Sequence, residues 1–342
     1  MTETLSAVLV GCGGISRAWL RAITELPDVR LLGLVDIRKE AAEARAEEFG
    51  LSAIRTSDDL AVTLDDLAPD VVFDCTVPGA HRAVTLTALK HGCHVMGEKP
   101  LADTLEHAKE MVAAAAAADR IYAVMQNRRY DPNIRRLRNF LTSGVLGRIT
   151  TVDCDFYIGA HFGGFRDHMR HVLLVDMAIH TFDAARFLTG ADAQAVYCKE
   201  WNPPGSWYDY DASAIAVFEM TGDIVYSYRG SWCAEGLNTG WESRWRVIGE
   251  HGSVIWDGGD GFEAQVVRET GGFLSELEGV EVPDVVDASK TGGHAGAIQE
   301  FVRCVQTGCV PETVCTDNIK SLAMVFGAVT SSESGQRVPI IV

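Results

Sequence analysis

Positive charge is scarce in this 342-residue chain: 30 lysines and arginines face 47 aspartates and glutamates, a formal net charge of −17. A surface that acidic, with a pI near 5.0, repels phosphate backbones and anionic lipid, which excludes nucleic acid and the membrane surface as partners. No apolar run reaches the roughly 20 residues of a membrane span, and no basic-then-apolar leader precedes the first apolar run, which begins by Ala7. The nine cysteines are odd in number and contain no CxxC pair, the usage of a reducing compartment in which cysteine serves as a small core residue. These absences point to a cytoplasmic protein. No internal repeat is visible either.

What is present is ample apolar material. Hydrophobic residues make up 47% and charged residues 23%, ordinary for a soluble globular protein of a length that suits two domains. The first part alternates short apolar runs (Ala7–Val10, Val29–Asp36, Val71–Phe73, Val95–Met96, Tyr122–Met125) with helical patterns. Short all-apolar strands of this kind belong to a parallel sheet covered on both faces. Ile15, Ala18, Trp19, Ala22, Ile23 and Leu26 recur at helical spacing until Pro27 stops them. Arg38–Phe49, ended by Gly50, and Thr104–Arg120, with its six-alanine run, give two further helices.

The pattern changes near residue 127. Asp131-Pro132 reads as an N-cap followed by proline at the first helical position, and Gly144 ends that helix. Strands spaced by turns follow: 149–157, 195–200, 212–218, 224–228, 244–248 and 253–256, with Thr221-Gly222-Asp223 and His251-Gly252 as hairpin turns. Such an order predicts an antiparallel sheet. Two helices, 295–305 and 318–332, finish the chain, and 270–293 reads as a surface loop or lid. The expected fold is α/β, a Rossmann doubly wound parallel sheet over 1–125 and an α/β domain over 126–342 that carries a large, mostly antiparallel open sheet.

Val10-Gly11-Cys12-Gly13-Gly14-Ile15-Ser16 follows the first strand and opens the first helix, the context a dinucleotide fingerprint requires. Gly11 permits the tight turn, and Gly13 lets backbone N–H groups approach a pyrophosphate. Ser16 replaces the third glycine and is small enough for close helix–strand packing. Asp36 ends the second strand about 20 residues on, where a carboxylate accepts from a ribose 2′-hydroxyl and repels a 2′-phosphate. NAD is therefore favoured, with Arg38 leaving NADP open.

Two further elements carry chemistry. Asp176 and His180 interrupt the apolar segment Val172–His180 at i, i+4 spacing, which puts both on one helix face. A buried structural pair accounts for that spacing as readily as catalysis does. Removing hydride from a secondary alcohol leaves a hydroxyl proton to be taken, and histidine is the default base, steadied by a neighbouring carboxylate. Glu98-Lys99-Pro100 closes the apolar run 94–97, so Lys99 projects from the carboxyl end of a parallel strand, where open α/β sheets hold ligands. There it can hydrogen-bond the oxygen whose charge changes. The bland alternative for Lys99 is a surface ion pair with Glu98. Whether Lys99 or His180 takes the first proton is open.

With these residues in place, the chain resembles the glucose–fructose oxidoreductase and inositol dehydrogenase family (Gfo/Idh/MocA). The matching elements are 11–15, Asp36, Pro78 with His81, Glu98-Lys99-Pro100, Asn127-Arg128-Arg129-Tyr130-Asp131, Asp176 with His180, and Ser331 to Gly335 followed by Val338. The resemblance implies bound NAD(H) or NADP(H), a sugar, cyclic polyol or sugar-acid substrate, and a C-terminal sheet that packs against another subunit to give a homodimer or homotetramer. It implies Lys99, Asp176 and His180 as the catalytic set. It places Gly11, Gly13, Gly14, Ile15, Asp36 and Arg38 at the cofactor, with Thr76, Pro78, His81, Glu98, Lys99 and Asn127. Gly79 stands where many members have asparagine.

Arg128 and Asn127 leave the last Rossmann strand as candidate substrate contacts, and Asp155, His161, Lys99, Asp176 and His180 complete that set. A solvated strand-face carboxylate is the commoner explanation of Asp155. Residues 161–171 hold His161, Arg166, His168 and His171, which suit an oxidised or anionic sugar. Those histidines with His180 match no zinc-ligand spacing, so no metal is expected. Trp201, Trp207, Tyr208, Trp232, Trp241 and Trp245 are read as core or interface rather than as ligand contacts. The leading reading is a dehydrogenase. The alternatives are a relative that retains NAD and oxidises transiently to drive glycoside cleavage or elimination, and a catalytically silent nucleotide sensor. The glycosidase relatives often carry tyrosine where this chain has Asp176, and an intact catalytic set argues against a silent sensor.

Overall fold

Helix and strand alternate from the first residues described, because each apolar run is short and helical segments lie between them, of which 16–25 carries a marked one-sided apolar stripe. The structure is a computed structural model that describes residues 4–51, 53–284 and 286–342. Six strands, β1 (Leu5–Val10), β2 (Val29–Val35), β3 (Arg55–Ser57), β4 (Val71–Asp74), β5 (His94–Gly97) and β6 (Tyr122–Val124), form one sheet in the order β3-β2-β1-β4-β5-β6. Every pairing in it is parallel. The order reverses between β1 and β4, which opens a crevice at the carboxyl ends of the strands. Helices α1 (Ser16–Glu25), α2 (Lys39–Glu48), α3 (Leu60–Leu67), α4 (Pro78–Lys90) and α5 (Leu105–Ala118) connect them. Helix α1 buries Trp19, Leu20, Ala22 and Ile23 and leaves Ile15, the first member of the expected stripe, 41% exposed.

Further along are α6 (Pro132–Thr142), β7 (Ile149–Tyr157), a π-helical segment (Leu173–Ala178) continuing into α7 (Ile179–Thr189), then β8 (Ala193–Trp201), β9 (Ser213–Met220) and β10 (Ile224–Ser231). Strands β11 (Arg244–Gly249), β12 (Gly252–Trp256), β13 (Phe262–Glu269) and β14 (Glu276–Val280) follow. Helices α8 (His294–Thr307) and α9 (Cys315–Ser334) and the short β15 (Val338–Pro339) close the chain. The second sheet has nine strands in the order β14-β13-β12-β11-β7-β10-β9-β8-β15. It is antiparallel throughout except where β7 lies parallel to β10, an exception that adjacent short turns could not announce. Phe182 of α7 packs edge-on against Phe218 and Tyr228, with ring centroids 4.8 and 5.3 Å away, and seats that helix on the sheet.

Three expectations need correction. The segment 270–293 is not wholly loop: it contains β14, and β13 precedes it. Glu276–Leu277–Glu278–Gly279 is exposed throughout, so this edge strand lacks the in–out alternation that marks a half-buried strand. A single boundary near 126 is also too simple. The chain forms two compact units, the first running through Tyr130 and taking back Ala288–Ile319, the second made of Asp131–Asp287 and Lys320–Val342. The reason is apolar: Ala297, Ile298, Phe301 and Val302 of α8 share one core with Trp19, Ile23 and Phe73. Finally, Cys304 and Cys309 form a disulfide, with Cα atoms 4.5 Å apart. Gly308, left-handed at φ 72°, turns the chain back beside the end of α8 and brings the two together. Six other cysteines are buried outside any disulfide and Cys233 is half-buried. Among the described residues no helix is long and apolar enough to cross a membrane.

Candidate active site

In the first unit the glycine turn between β1 and α1 is built for close approach. Gly11 has φ +89°, and a Cβ there would lie 2.7 Å from the backbone carbon of Cys75. Only glycine fits. Gly13 and Gly14 have nothing within 4 Å of a Cβ position, so their open side is free for a ligand's backbone-hugging phosphates. Ser16 does more than stay small, since its hydroxyl donates to the Gly13 carbonyl at 2.7 Å and closes the turn.

Asp36 stands at the end of β2 with its carboxylate fixed by two backbone donors, Cys12 N–H at 2.8 Å and Arg38 N–H at 2.9 Å. It borders a cavity of about 340 Å³ lined by Gly11, Gly13, Arg38 and Thr76 and by the apolar Ile37, Leu60, Val77, Ala80 and Val84. Ile37 and Val77 are 92% and 67% exposed, two apolar side chains held in the open beside an acidic rim. A planar apolar base with a polyhydroxylated sugar at its edge matches that arrangement. The cavity thus fits a dinucleotide's adenosine. Ile37 and Val77 escaped the sequence reading, although a lone apolar residue directly after a strand-end acid is a usable signal.

Thr76 is tied to Asp74 through both its N–H (2.9 Å) and its hydroxyl (2.5 Å). His81 meets the other oxygen of Asp74 at 2.9 Å, and the pair is buried, with side chains 1% and 0% exposed. Burial works against a charged His81 ring, but Asp74 outweighs it and raises the pKa above its ordinary value. His81 therefore braces the end of β4, with Thr76 at the cavity wall. Pro78 opens α4, and a side chain at Gly79 would meet open space.

Glu98 is not a surface partner of Lys99. It is 6% exposed and receives the Trp19 indole N–H at 2.7 Å and the Lys99 backbone N–H at 3.0 Å, with His294 Nε2 3.8 Å away. Burial pushes its carboxyl upward, yet His294, Trp19 and Lys99 together hold it below the usual carboxylate range. Lys99 is thus rooted at the carboxyl end of β5, and its bond to Pro100 is cis. Asn127 and Arg128 sit on a single 3-10 turn, Asn127–Tyr130, that follows β6, with Arg128 8% exposed. The turn is held by Arg129, which donates to the Glu312 carbonyl and to Asp317, each at 2.7 Å, and by Tyr130, whose hydroxyl bonds buried Glu300.

In the second unit Asp176 lies in the π-helical segment and His180 in the first turn of α7. Stretches of π-helix cost hydrogen-bond geometry and recur at functional sites. Arg166 reaches Asp176 through Nε at 2.7 Å and Nη2 at 3.4 Å, and its guanidinium lies over Phe162 and Phe165. That pairing was not foreseen, because its two members come from separate turns. The histidines disperse rather than converge. His161 pairs with Glu235 (2.8 Å) and stacks on Trp207, His168 pairs with Asp209 (2.6 Å), and His171 with Glu200 (2.8 Å). The pKa of His171 is raised, first by the Glu200 hydrogen bond, and that of His168 likewise by Asp209. A segment expected to recognise an anion therefore has Arg166 and all three histidines already paired with carboxylates. Asp155 is held bidentate by Arg229, at 2.7 Å on both oxygens, and lines a cavity of about 230 Å³ with Asp153, Arg244 and Arg246 on the sheet face. Trp232 and Trp245 are buried, while Trp201 and Trp241 are exposed.

Comparison with known proteins places these features in a family. Residues 5–126 match the family model GFO_IDH_MocA, described as an oxidoreductase family with an NAD-binding Rossmann fold, and 134–255 match the GFO/IDH/MocA C-terminal domain. The 1,5-anhydro-D-fructose reductase of Ensifer adhaerens is 26% identical, over 97% of both chains. The inositol 2-dehydrogenase of Rhizobium meliloti is 25% identical, covering 97% of this chain and 98% of its own. Among solved structures, an oxidoreductase from Agrobacterium radiobacter in complex with NAD+, L-tartaric acid and magnesium superimposes with a TM-score of 0.86 over 99% of both chains, at 21% identity.

Proposed function

Because the chain belongs to the GFO/IDH/MocA oxidoreductase family and carries its NAD-binding Rossmann domain, we propose that it oxidises a secondary hydroxyl of a sugar, cyclic polyol or sugar acid. The observation that carries the reading is the rooting of Lys99: a buried carboxylate gripped by Trp19 and the Lys99 N–H fixes the lysine at the ligand-bearing edge of the sheet that also presents the glycine turn and Asp36. Bound nicotinamide supplies the hydride acceptor. Lys99 donates to the reacting oxygen and offsets its developing charge, and His180 receives the hydroxyl proton. Asp176, oriented by Arg166, keeps negative charge one turn from His180. Relatives that carry the names inositol 2-dehydrogenase and 1,5-anhydro-D-fructose reductase support a polyhydroxylated substrate. Asp36, already engaged by two backbone donors, favours NAD over NADP. The outer face of the nine-stranded sheet exposes Tyr197, Ile215, Val217 and Val225 around the Asp155–Arg229 pair, and we assign it to self-association as a dimer or tetramer.

The test is NADH fluorescence with NAD and a panel of inositols, aldoses and sugar acids. Steady NADH accumulation with one of them supports the proposal. Product without net NADH would replace it with transient oxidation driving elimination or cleavage, and nucleotide binding without turnover on any substrate would reduce the chain to a sensor. In the responding assay His180→Ala should abolish turnover while leaving NADH affinity in place.

A further inference from the structure

Helix α2 reads as a solvent helix, KEAAEARAEE, and one of its charged residues is nonetheless buried. Arg45 is 6% exposed. Its Nη2 donates to the carbonyl of Cys12 at 3.0 Å and to that of Gly13 at 2.9 Å. Its Nη1 bonds Glu48 one turn on, and Glu48 in turn accepts from Arg17 Nε of α1 at 2.7 Å. A chain of side chains thus runs from α1 through Glu48 and Arg45 into the back of the glycine turn. The Arg45 Nε is buried with no partner among the described residues, so the two turn carbonyls and Glu48 are what offset the cost of burying this guanidinium.

The geometry of the peptide unit gives the contact a consequence. In a trans peptide the C=O of one residue and the N–H of the next lie in one plane and point in opposite directions. The Cys12 carbonyl shares its plane with the Gly13 N–H, and the Gly13 carbonyl with the Gly14 N–H. Holding both carbonyls on the Arg45 side turns both N–H groups to the opposite side, and the Cβ positions of Gly13 and Gly14 meet nothing within 4 Å that would crowd an approaching ligand. Two successive glycines are the backbone least able to hold such an orientation unaided, since either peptide plane can flip at little steric cost. The Ser16 hydroxyl secures the second carbonyl from the helix side and leaves the first to Arg45. A positive charge behind both peptide dipoles also strengthens the N–H groups as donors to an anion.

We propose that Arg45 is a positioning residue of the dinucleotide site: it clamps the Cys12 and Gly13 carbonyls so that the Gly13 and Gly14 N–H groups face the cofactor's diphosphate. The inference rests on NAD binding by the first domain and extends it to a residue outside the fingerprint. It separates the diphosphate from the adenosine, whose apolar slot Arg45 does not line.

That separation is the test. NADH, ADP-ribose and adenosine are titrated against the full-length protein and Arg45→Met, with circular dichroism to establish folding. Loss of two charge-assisted hydrogen bonds predicts about tenfold or greater weakening of NADH and ADP-ribose, with adenosine affinity unchanged. Arg45→Lys, which keeps a donor and the charge, should recover part of the loss. Equal loss for all three ligands means general disruption and overturns the proposal, as does no loss for any. Should Arg45→Met not fold, Glu48→Gln serves in its place, because Glu48 is 41% exposed and, besides Arg17, meets Arg45 on the side away from the glycine turn. It should weaken ADP-ribose and spare adenosine, and a uniform or absent effect overturns the proposal. If the unmodified protein bound neither NADH nor ADP-ribose, the nucleotide site itself would fall rather than the role of Arg45.

Discussion

The Trp19 indole donates its N–H to Glu98 at 2.7 Å, joining the core face of α1 to the root of Lys99. The bond makes Glu98 an acceptor on both oxygens, for Trp19 on one and for the Lys99 N–H on the other. Glutamine at 98 offers only one acceptor, so one of these two donors must face an amide N–H. Glu98→Gln should therefore lower kcat by about tenfold, the scale of an unsatisfied buried donor, with NADH affinity nearly unchanged. The pH dependence follows from its pKa, which lies below the ordinary 4.5. A carboxyl held low in the folded state stabilises it above the unfolded value and loses that contribution as pH falls through the folded value. Urea denaturation at pH 7 and pH 4 checks this: the variant's deficit should shrink at the lower pH, and an equal deficit at both would show that Glu98 does not act through its charge.

Asp36 is held in one orientation by the Cys12 and Arg38 N–H groups. Replacing it with alanine removes both the acceptor for a ribose hydroxyl and the repulsion of a 2′-phosphate. Arg38, on the same cavity, is then left as the only charge at that rim besides Asp58. Asp36→Ala should shift the ratio of kcat/KM for NAD over NADP toward NADP by about tenfold or more. A ratio that stays put would show that the ribose does not sit at Asp36.

Much of this was legible in the sequence because local pattern and tertiary role coincide. The fingerprint and Asp36 are one strand–helix unit apart, Glu98-Lys99-Pro100 is contiguous, and five of the six parallel strands appear where the apolar runs place them, the short polar β3 excepted. What escaped depends on residues far apart in the chain. Arg45 reads as one more charge on a polar helix until its guanidinium is seen on the Cys12 and Gly13 carbonyls. Helix α8 reads as the end of the second domain, but its apolar face completes the core of the first. The histidines of 161–171 looked like an anion-binding array because their carboxylate partners, Glu200, Asp209 and Glu235, lie between 29 and 74 residues away.

His171 couples that segment to β8 through Glu200, a carboxylate whose side chain is 1% exposed, with Glu333 3.5 Å from the other ring nitrogen. Its folded pKa is raised above the ordinary 6.5. The charged ring therefore contributes fully below the unfolded value, and the contribution disappears as pH rises through the folded one. His171→Asn should lower the melting temperature more at pH 6 than at pH 9. Equal losses at the two pH values would mean that packing rather than charge pairing holds His171.

Arg166 engages both oxygens of Asp176, yet it is drawn from a separate 3-10 turn and lies across two phenylalanine rings. The fork geometry fixes the plane of the carboxylate as well as its place, which a lysine ammonium cannot do. If Asp176 assists His180 by standing in one orientation, geometry should matter beyond charge. Arg166→Lys should lower kcat by about tenfold and Arg166→Met by roughly a hundredfold, the range spanned by losing one and then both charge-assisted bonds. NADH affinity should hold in both variants, because the nucleotide cradle is built from residues of the other unit. Equal kcat for the lysine variant and the parent would reduce Arg166 to a counter-charge. A parallel fall in NADH binding would instead assign it to the integrity of the fold.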